Sequence, residues 1–335
     1  MYRMSSTHWV GAIAKTFWLS MGILGSMTFT NAQTQSAYPT KNIRIVVAFA
    51  SGGFADSVSR LVGQKLSERL GQPVVVENRG GAGGNIGAKF VVGAAPDGYT
   101  LLAHTAASTI NNSLYKNIGF NVLTDLVPIA NVGSSPGIFA VNASHKAGSL
   151  EELIRMTKAS GGRLTYSTAG VGTSSHLAAE YLFNTLSGLQ ATHIPFQGGA
   201  QAITSVISGQ VEVLSISLPP ASPFIKNGTL KALGVSSLKR VDTLPNIKTL
   251  GESGYLDFEE RSWVGFFAPA NTPAAIVNRL NAEISQVVAL PEVRERLVAM
   301  GMEPQISSAT EFNDYVRKEV NMWSKIISTT GITLD

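Results

Sequence analysis

Residues 51–56, Ser-Gly-Gly-Phe-Ala-Asp, carry the clearest chemical signal in the sequence, and we call them the first turn. They follow a β-rich apolar run at 43–49, and a helical pattern begins directly behind the glycines. In a parallel α/β sheet, a strand-to-helix turn lies at the carboxyl edge, where ligands bind. The first N–H groups of a helix have no intrahelical partners and carry partial positive charge. The first turn is therefore predicted to seat a small anion.

Residues 169–176, Ala-Gly-Val-Gly-Thr-Ser-Ser-His, form a second turn with similar chemistry. A predicted strand precedes it and a predicted helix follows. Its glycines allow close backbone approach, and Thr173, Ser174 and Ser175 offer hydroxyls beside free helix N–H groups. Ordinary N-capping by Thr173 or Ser174 is the alternative interpretation. Two such turns in separate halves of the chain favour a ligand held between them.

A third glycine-rich segment, residues 80–87, follows another predicted strand, and we call it the glycine loop. It does not match the dinucleotide pattern GxGxxG, because Ile86 stands where the third glycine belongs. No Gly-Lys-Ser/Thr sequence follows, so it is not a P-loop. We expect a tight or mobile loop beside the cleft rather than a nucleotide site.

The residues give little support for catalysis. Ser175 and His176 are neighbours, so a helix points their side chains apart, and no Gly-x-Ser-x-Gly elbow is present. The five histidines lack metal-ligand spacing. Asp56 lies at a helix start, where an N-cap is more common than a catalytic base. We predict a protein that is not an enzyme and that needs no cofactor or metal, with a secreted α/β hydrolase or isomerase as the rival class.

The N-terminal segment predicts export. Arg3 and Lys15 precede an acid-free apolar stretch at 17–29, and Thr30-Asn31-Ala32 gives a cleavage site after Ala32. The apolar stretch is short for a membrane anchor. The chain has no cysteine, and its net charge of +4 falls to +2 once residues 1–32 are removed. This small charge does not favour nucleic acid or an anionic membrane as partner.

The rest of the chain alternates strand and helix patterns, which predicts an α/β fold with a largely parallel sheet covered on both sides. Two capping boxes, beginning at Ser149 and Ser308, mark helix starts. The predicted strands lie at 43–49, 73–77, 99–103, 164–168, 193–196, 211–216, 230–235 and 263–268.

Six ordered motifs resemble the Bug/TctC family, the periplasmic solute-binding components of tripartite tricarboxylate transporters. The resemblance runs from Tyr38 almost to the C-terminus. The motifs are YPTKNIRIVVAFASGGFAD at 38–56, VVVENRGGAGGNIGA at 74–88, PDGYTLL at 96–102, STAGVGTSSHLAAE at 167–180, HIPFQGGAQAITSVISGQV at 193–211 and IKNGTLKALGV at 225–235.

The resemblance implies a periplasmic binding protein of type II, or Venus-flytrap type, with two doubly wound α/β domains around a cleft. Domain 1 would hold residues 33–139 and 261–335, and domain 2 residues 140–260, after a signal peptide at 1–32. It implies a monomer that binds a small carboxylate, often a dicarboxylate or an acidic amino acid, and delivers it to membrane permease subunits. A periplasmic sensor that docks on a receptor or sensor kinase is the alternative.

The resemblance also implies the ligand-binding residues. The first turn would grip one carboxylate, partly through ordered water, and the second turn would supply donors from domain 2. The expected site residues are Gly53, Phe54, Ala55, Asp56, Thr105, Ser108, Gly170, Gly172, Thr173, Ser174, His176, Phe196 and Gly198.

Two departures from the family pattern bear on the ligand. Ala48 and Ser51 stand where the family commonly has prolines, which leaves the first turn less stiff. Near Ile216 and Ser217 the family often carries an acidic or amide residue, and its absence removes a possible partner for a ligand amine. An amino-acid ligand is therefore disfavoured.

Overall fold

The computed structural model describes Met1 and residues 38–255 and 259–330. The predicted signal peptide and its cleavage site lie outside the described residues, apart from Met1. From Pro39 onward the described chain forms one compact unit. Within the described ranges, no helix combines the length and the apolar character needed to cross a membrane.

Strands and helices alternate along most of the chain, as predicted. The first half contains β1 (Ile43–Val47), α1 (Phe54–Leu70), β2 (Val74–Asn78), α2 (Asn85–Val92), β3 (Thr100–Thr105), α3 (Ala107–Leu114), β4 (Leu126–Asn142) and α4 (Leu150–Ala159). The second half contains β5 (Arg163–Thr168), α5 (Ser174–Glu180), β6 (Gln190–Pro195), α6 (Gly199–Ile207), β7 (Val213–Ser217), α7 (Leu218–Lys226), β8 (Leu230–Val235), β9 (Arg261–Pro269), α8 (Ala274–Ala289), α9 (Pro291–Ala299), β10 (Glu303–Pro304) and α10 (Ala309–Thr330).

The strands form two sheets that share β4. In the first sheet, β1 pairs in parallel with β2 and β3, and β9 lies antiparallel between β3 and β4. In the second sheet, β5 pairs in parallel with β6 and β7, whereas β7 and β8 run antiparallel to β4. The prediction of a largely parallel arrangement is correct for the βα units and wrong for the central strands.

The long strand β4 passes from one sheet to the other. Its residues up to Pro136 pair with β9, and those from Gly137 to Val141 pair with β7. The sequence analysis did not predict this strand, because Pro128, Gly133 and Pro136 are residues that normally interrupt strands. Register shifts after Pro128 and Asn131 absorb the irregularity.

Helices cover both faces of the second sheet, and its core divides accordingly. Alternate residues of β4 point to opposite faces: Phe139 and Val141 pack with Leu150 and Phe183, and Ile138 packs on the other side. This packing supports the carboxyl ends of two strands: β5, where the second turn begins, and β7, where α7 begins.

Candidate functional site

Four helices begin at one small cavity, which we call the inner cavity. They are α1, α5, α6 and α7, so the cavity faces four helix N-termini and their unpaired N–H groups. Its volume is about 30 Å³. The lining residues are Phe49, Gly53, Phe54, Ala55, Thr105, Ala169, Thr173, Ser174, Ser175, Gly199, Ser217 and Ser262.

The first turn presents backbone to this cavity. Gly53 is the N-cap of α1 and makes no side-chain cap, so the prediction of Asp56 as N-cap is wrong. Asp56 lies three residues further on, buried and turned away from the cavity. It accepts hydrogen bonds from the Gly52 N–H at 2.9 Å, from Arg60 Nε at 3.0 Å and from Asn78 Nδ2 at 2.8 Å.

Asp56 therefore acts as an internal brace for the first turn. Burial raises the pKa of its carboxyl, but the hydrogen bonds from Arg60, Gly52 and Asn78 outweigh burial and hold that pKa below its usual value. The ionised side chain fixes the glycine backbone, and the Arg60 guanidinium is directed to Asp56 and Asn78 rather than to the cavity.

The second turn is capped as the alternative interpretation proposed. Thr173 is the N-cap of α5, and its hydroxyl accepts from the His176 N–H at 3.3 Å while donating to the Gly170 carbonyl at 2.8 Å. The Thr173 hydroxyl proton is therefore already used. Ser174 and Ser175, at the first two helical positions, line the inner cavity and leave their N–H groups available to a ligand.

His176 supports the second turn from behind. Its Nδ1 accepts the Gly172 N–H at 3.3 Å, and its ring stacks on His193 with centroids 4.1 Å apart. Burial lowers the pKa of His176 to about 4, despite the opposing charge of Glu180. Burial, with His176 nearby, lowers the pKa of His193 to about 3. Both rings are therefore neutral at physiological pH.

Thr105, Ser217 and Ser262 complete the polar wall of the inner cavity. Thr105 ends β3, and Ser262 lies near the start of the antiparallel β9, so the pairing of these strands brings the two residues to the same edge. Ser217 is the N-cap of α7. The sequence analysis did not predict a role for Ser262, because the direction of β9 is not visible in the chain.

A second cavity of about 240 Å³, which we call the outer cavity, adjoins the inner one at Phe49 and Ala169. The glycine loop forms one wall, which agrees with its predicted place beside the cleft. Gly170 and Phe196, both predicted site residues, lie in the opposite wall, together with Val171, Pro195 and Gln197.

The two walls of the outer cavity are in close contact. A Cβ placed on Gly83 would lie 2.3 Å from the Val171 carbonyl oxygen, and one on Gly172 would lie 2.1 Å from Asn111 Oδ1. The Ala50 N–H also donates to the Gln197 carbonyl at 3.3 Å. The inner cavity has room for little more than a water molecule, so the walls must separate to admit an organic acid.

Five expected site residues do not line the inner or the outer cavity. They are Asp56, Ser108, Gly172, His176 and Gly198. Ser108 donates to the Thr105 carbonyl at 3.0 Å, and Gly198 packs against Ala50. Each supports a residue or turn that does line a cavity.

The chemistry of the inner cavity suits an anion held by dipoles. Its lining, as far as the chain is described, contains no charged side chain. Helix N-termini and hydroxyls supply the favourable field instead. In the described ranges, no cluster of three or more His, Asp or Glu residues could hold a metal ion.

The α/β fold, with two sheets that share β4, is that of the periplasmic binding proteins. The sequence matches the family described as "Tripartite tricarboxylate transporter family receptor" over residues 58–332. BugT of Bordetella pertussis is 33% identical over 299 residues, which cover 89% of this chain and 91% of that protein. The chain therefore belongs to the TctC family of solute-binding proteins and is not an enzyme.

Two solved structures are similar over most of their length. An R. palustris protein solved with adipate is 32% identical, with a TM-score of 0.85 over 88% of this chain and 99% of that one. MatC of Rhodopseudomonas palustris, solved with bound malate, is 29% identical, with a TM-score of 0.82 over 87% of this chain and all of that one.

Proposed function

We propose that this protein captures a small dicarboxylate in the periplasm and delivers it to a tripartite tricarboxylate-type permease. The observation that carries the proposal is the inner cavity, where the N-termini of α1, α5, α6 and α7 meet beside uncharged hydroxyls. This arrangement favours a carboxylate and leaves no charged partner for an ammonium group.

Each of the two cavities holds a different part of such a ligand. One carboxylate enters the inner cavity and accepts hydrogen bonds from the backbone N–H groups of Phe54, Ala55, Ser174 and Ser175. The remainder of the acid extends past Phe49 and Ala169 into the outer cavity, where the glycine loop and Gln197 offer further backbone groups. Adipate and malate, the ligands of the two relatives, are therefore the first candidates to test.

Calorimetry tests the carboxylate assignment. Adipate and malate are titrated into the exported protein alongside adipamide and dimethyl adipate, which keep the length of adipate and lose its charge. We expect an acid to bind and the amide and ester to fail, because each charge-assisted hydrogen bond contributes about 1.5–3 kcal/mol. Amides that bind as tightly as the acids would contradict the proposal. Native mass spectrometry of freshly purified protein can reveal a retained ligand.

Export and delivery have their own tests. Intact-mass analysis of the periplasmic fraction should find a chain beginning at Gln33, whereas an unprocessed cytoplasmic chain would overturn the localisation. Ligand uptake by cells should require both this protein and a permease of the tripartite type. We further propose two lobes, residues 33–139 with 261–335 and residues 140–260. In support, β4 passes from the first sheet to the second at Pro136 and Gly137, three residues before the proposed boundary.

A further inference from the structure

Glu260 is a buried carboxyl directly behind the inner cavity. It precedes β9, is only 2% exposed, and lies two residues before Ser262 of the cavity wall. On the cavity side, its polar neighbour is Ser174, which itself lines the inner cavity and whose hydroxyl acts to lower the pKa of the Glu260 carboxyl. A carboxyl in this place controls the charge that a bound anion meets behind Ser174.

The space for the Glu260 carboxyl is built into the fold. A Cβ placed on Gly137 would lie 2.3 Å from Glu260 Oε2, so the glycine at which β4 changes sheets leaves room for this group. The Glu260 N–H donates to the Ser236 carbonyl at 3.1 Å, and the Ser236 N–H donates to Gly137 at 3.0 Å. The carboxyl is therefore held at the crossing between the two sheets.

The hydrogen-bond pattern favours a neutral Glu260. The Ser236 hydroxyl has one proton, and its nearest acceptor is the Glu260 carbonyl oxygen at 2.6 Å. Its oxygen also accepts the Gly137 N–H at 2.7 Å and lies 3.1 Å from Glu260 Oε2. If Glu260 is protonated on Oε2, that proton donates to the Ser236 hydroxyl oxygen and completes this set of hydrogen bonds. In the described part of the chain, Oε1 has no hydrogen-bond partner, which an ionised carboxylate would need.

The charged groups near Glu260 also favour its neutral form. Arg261 is the one charged group among the described neighbours that act on Glu260, and it already pairs with Glu303 at 2.7 Å and Glu259 at 3.7 Å. Ser174 on α5, Ser236 after β8 and Gly137 on β4 bring no charge. Burial raises the pKa of the Glu260 carboxyl, and these polar neighbours offset that effect only in part.

We propose that Glu260 is a positioning residue of the ligand site, which binds its carboxylate ligand only while Glu260 carries a proton. Protonated, Glu260 leaves the Ser174 hydroxyl free to donate into the inner cavity. Ionised, it draws that hydroxyl proton towards itself and repels the ligand across Ser174. This inference rests on the proposed capture of a dicarboxylate, and it makes binding depend on pH through a residue that does not touch the ligand.

The test is calorimetry with adipate, and malate as second probe, from about pH 5 to about pH 9. Wild-type affinity should fall about tenfold per pH unit above the pKa of Glu260 in the free protein. Glu260→Gln, a neutral isostere of the protonated side chain, should bind as tightly at low pH and lose this dependence. Glu252→Gln, which removes an exposed carboxylate that pairs with Arg240 outside both cavities, should keep the wild-type profile.

Several outcomes would overturn the inference. They are a flat wild-type profile, an unchanged profile in Glu260→Gln, or weaker binding by that variant at every pH, which a purely structural role would give. If Glu260→Gln does not fold, the test is calorimetry of the wild-type protein in buffers of different ionisation enthalpy, which gives the number of protons taken up on binding. The wild-type protein should take up about one proton on binding adipate above the pKa of Glu260, and no uptake at any pH overturns the inference.

A ligand-free measurement separates this inference from the proposed function. Carbon-13 NMR of glutamate carboxyl groups should show one that stays protonated well above the ordinary glutamate range, assigned by its absence in Glu260→Gln. If no dicarboxylate binds at any pH, the proposed function fails, and this spectrum still judges Glu260. If the carboxyl signal that disappears in Glu260→Gln has ionised by about pH 5 in the wild-type protein, the inference is wrong.

Discussion

The first and second turns both place a helix N-terminus at the inner cavity, but they are held in place by opposite means. An ionised carboxylate, Asp56, fixes the first turn through Gly52, Arg60 and Asn78. Neutral groups fix the second turn: the Thr173 hydroxyl and the His176 ring, which stacks on His193. Both turns keep full charges out of the lining.

If the cleft binds a carboxylate as we propose, this difference provides a way to attract the anion without salt bridges. The brace of the first turn lies behind the backbone, so only N–H groups face the ligand. The second turn adds serine hydroxyls and has Glu260 behind it. We expect the first turn to provide a rigid, unselective grip and the second turn to respond to pH and to ligand chemistry.

The largest expected effect comes from blocking contact between the walls. Gly83→Ala places a Cβ against the Val171 carbonyl, so the cleft should not close and adipate binding should become undetectable by calorimetry. Gly209→Ala is the matched control, because its φ of +76° resembles the +64° of Gly83 and no described atom lies within 4 Å of the added Cβ.

Both substitutions carry a similar backbone strain of roughly 1–2 kcal/mol. Only Gly83→Ala should abolish the decrease in radius of gyration that ligand causes in solution scattering. If Gly83→Ala closes and binds like Gly209→Ala, the contact between the glycine loop and the second turn has no role in closure.

A negative charge in the second turn should have the next largest effect. Thr173→Asp keeps a good N-cap residue but places a carboxylate in the inner cavity. Two unit charges about 4 Å apart repel by about 4 kcal/mol at an effective dielectric of 20, so affinity should fall roughly 100- to 1,000-fold. Thr173→Asn, which caps without the charge, is the control. Equal affinities of the two variants would exclude the second turn from the anion site.

The two braces should differ in their contribution to stability. Asp56→Ala removes the part-buried hydrogen bonds that its carboxylate accepts from the Gly52 N–H, Arg60 and Asn78, and should cost about 1–3 kcal/mol. Thr173→Ala removes one N-cap and should cost about 0.5–2 kcal/mol. Urea denaturation of both variants measures the difference. A more stable Asp56→Ala than Thr173→Ala would reverse the proposed roles.

Lowering the pH should destabilise the second turn before the first, and this is the smallest of the expected effects. His176 and His193 have folded pKa values lowered to about 4 and about 3, from 6.5 in the unfolded chain. Their stabilising contribution is therefore complete above about pH 6.5 and is lost as the pH falls towards 4 and below. Asp56 contributes above 3.8 and loses its contribution only as the pH falls further.

Hydrogen exchange at about pH 5, compared with pH 7, measures this order. The amides of His176 and Leu177, which bond to the Thr173 carbonyl, should lose protection relative to the amide of Ser57, which bonds to the Gly53 carbonyl, after correction for the intrinsic exchange rate. Equal loss at both helices would show that the histidine stack does not support the second turn.

Much of the fold was predictable from local sequence. The βα units around both turns and the capping box at Ser149 are confirmed, since glycine turns, apolar runs and caps are local signals. The missed elements include β4, α3 and α7. In β4, proline and glycine residues interrupt the strand pattern. In α7, Pro219, Pro220 and Pro223 obscure the helical pattern. In α3, Asn111, Asn112 and Ser113 make the helix polar.

The sequence by itself determined the family and the two glycine turns that are predicted to seat an anion. Only the tertiary structure decided which groups meet at the cleft. It turned Asp56 away as a brace, brought Ser262 to Thr105 through an antiparallel pairing, and placed Glu260 behind Ser174. The physical reason is that strand direction and burial arise from contacts between distant segments. A residue's own neighbours in the chain specify its backbone, whereas its ionisation and its partners depend on what the fold packs against it.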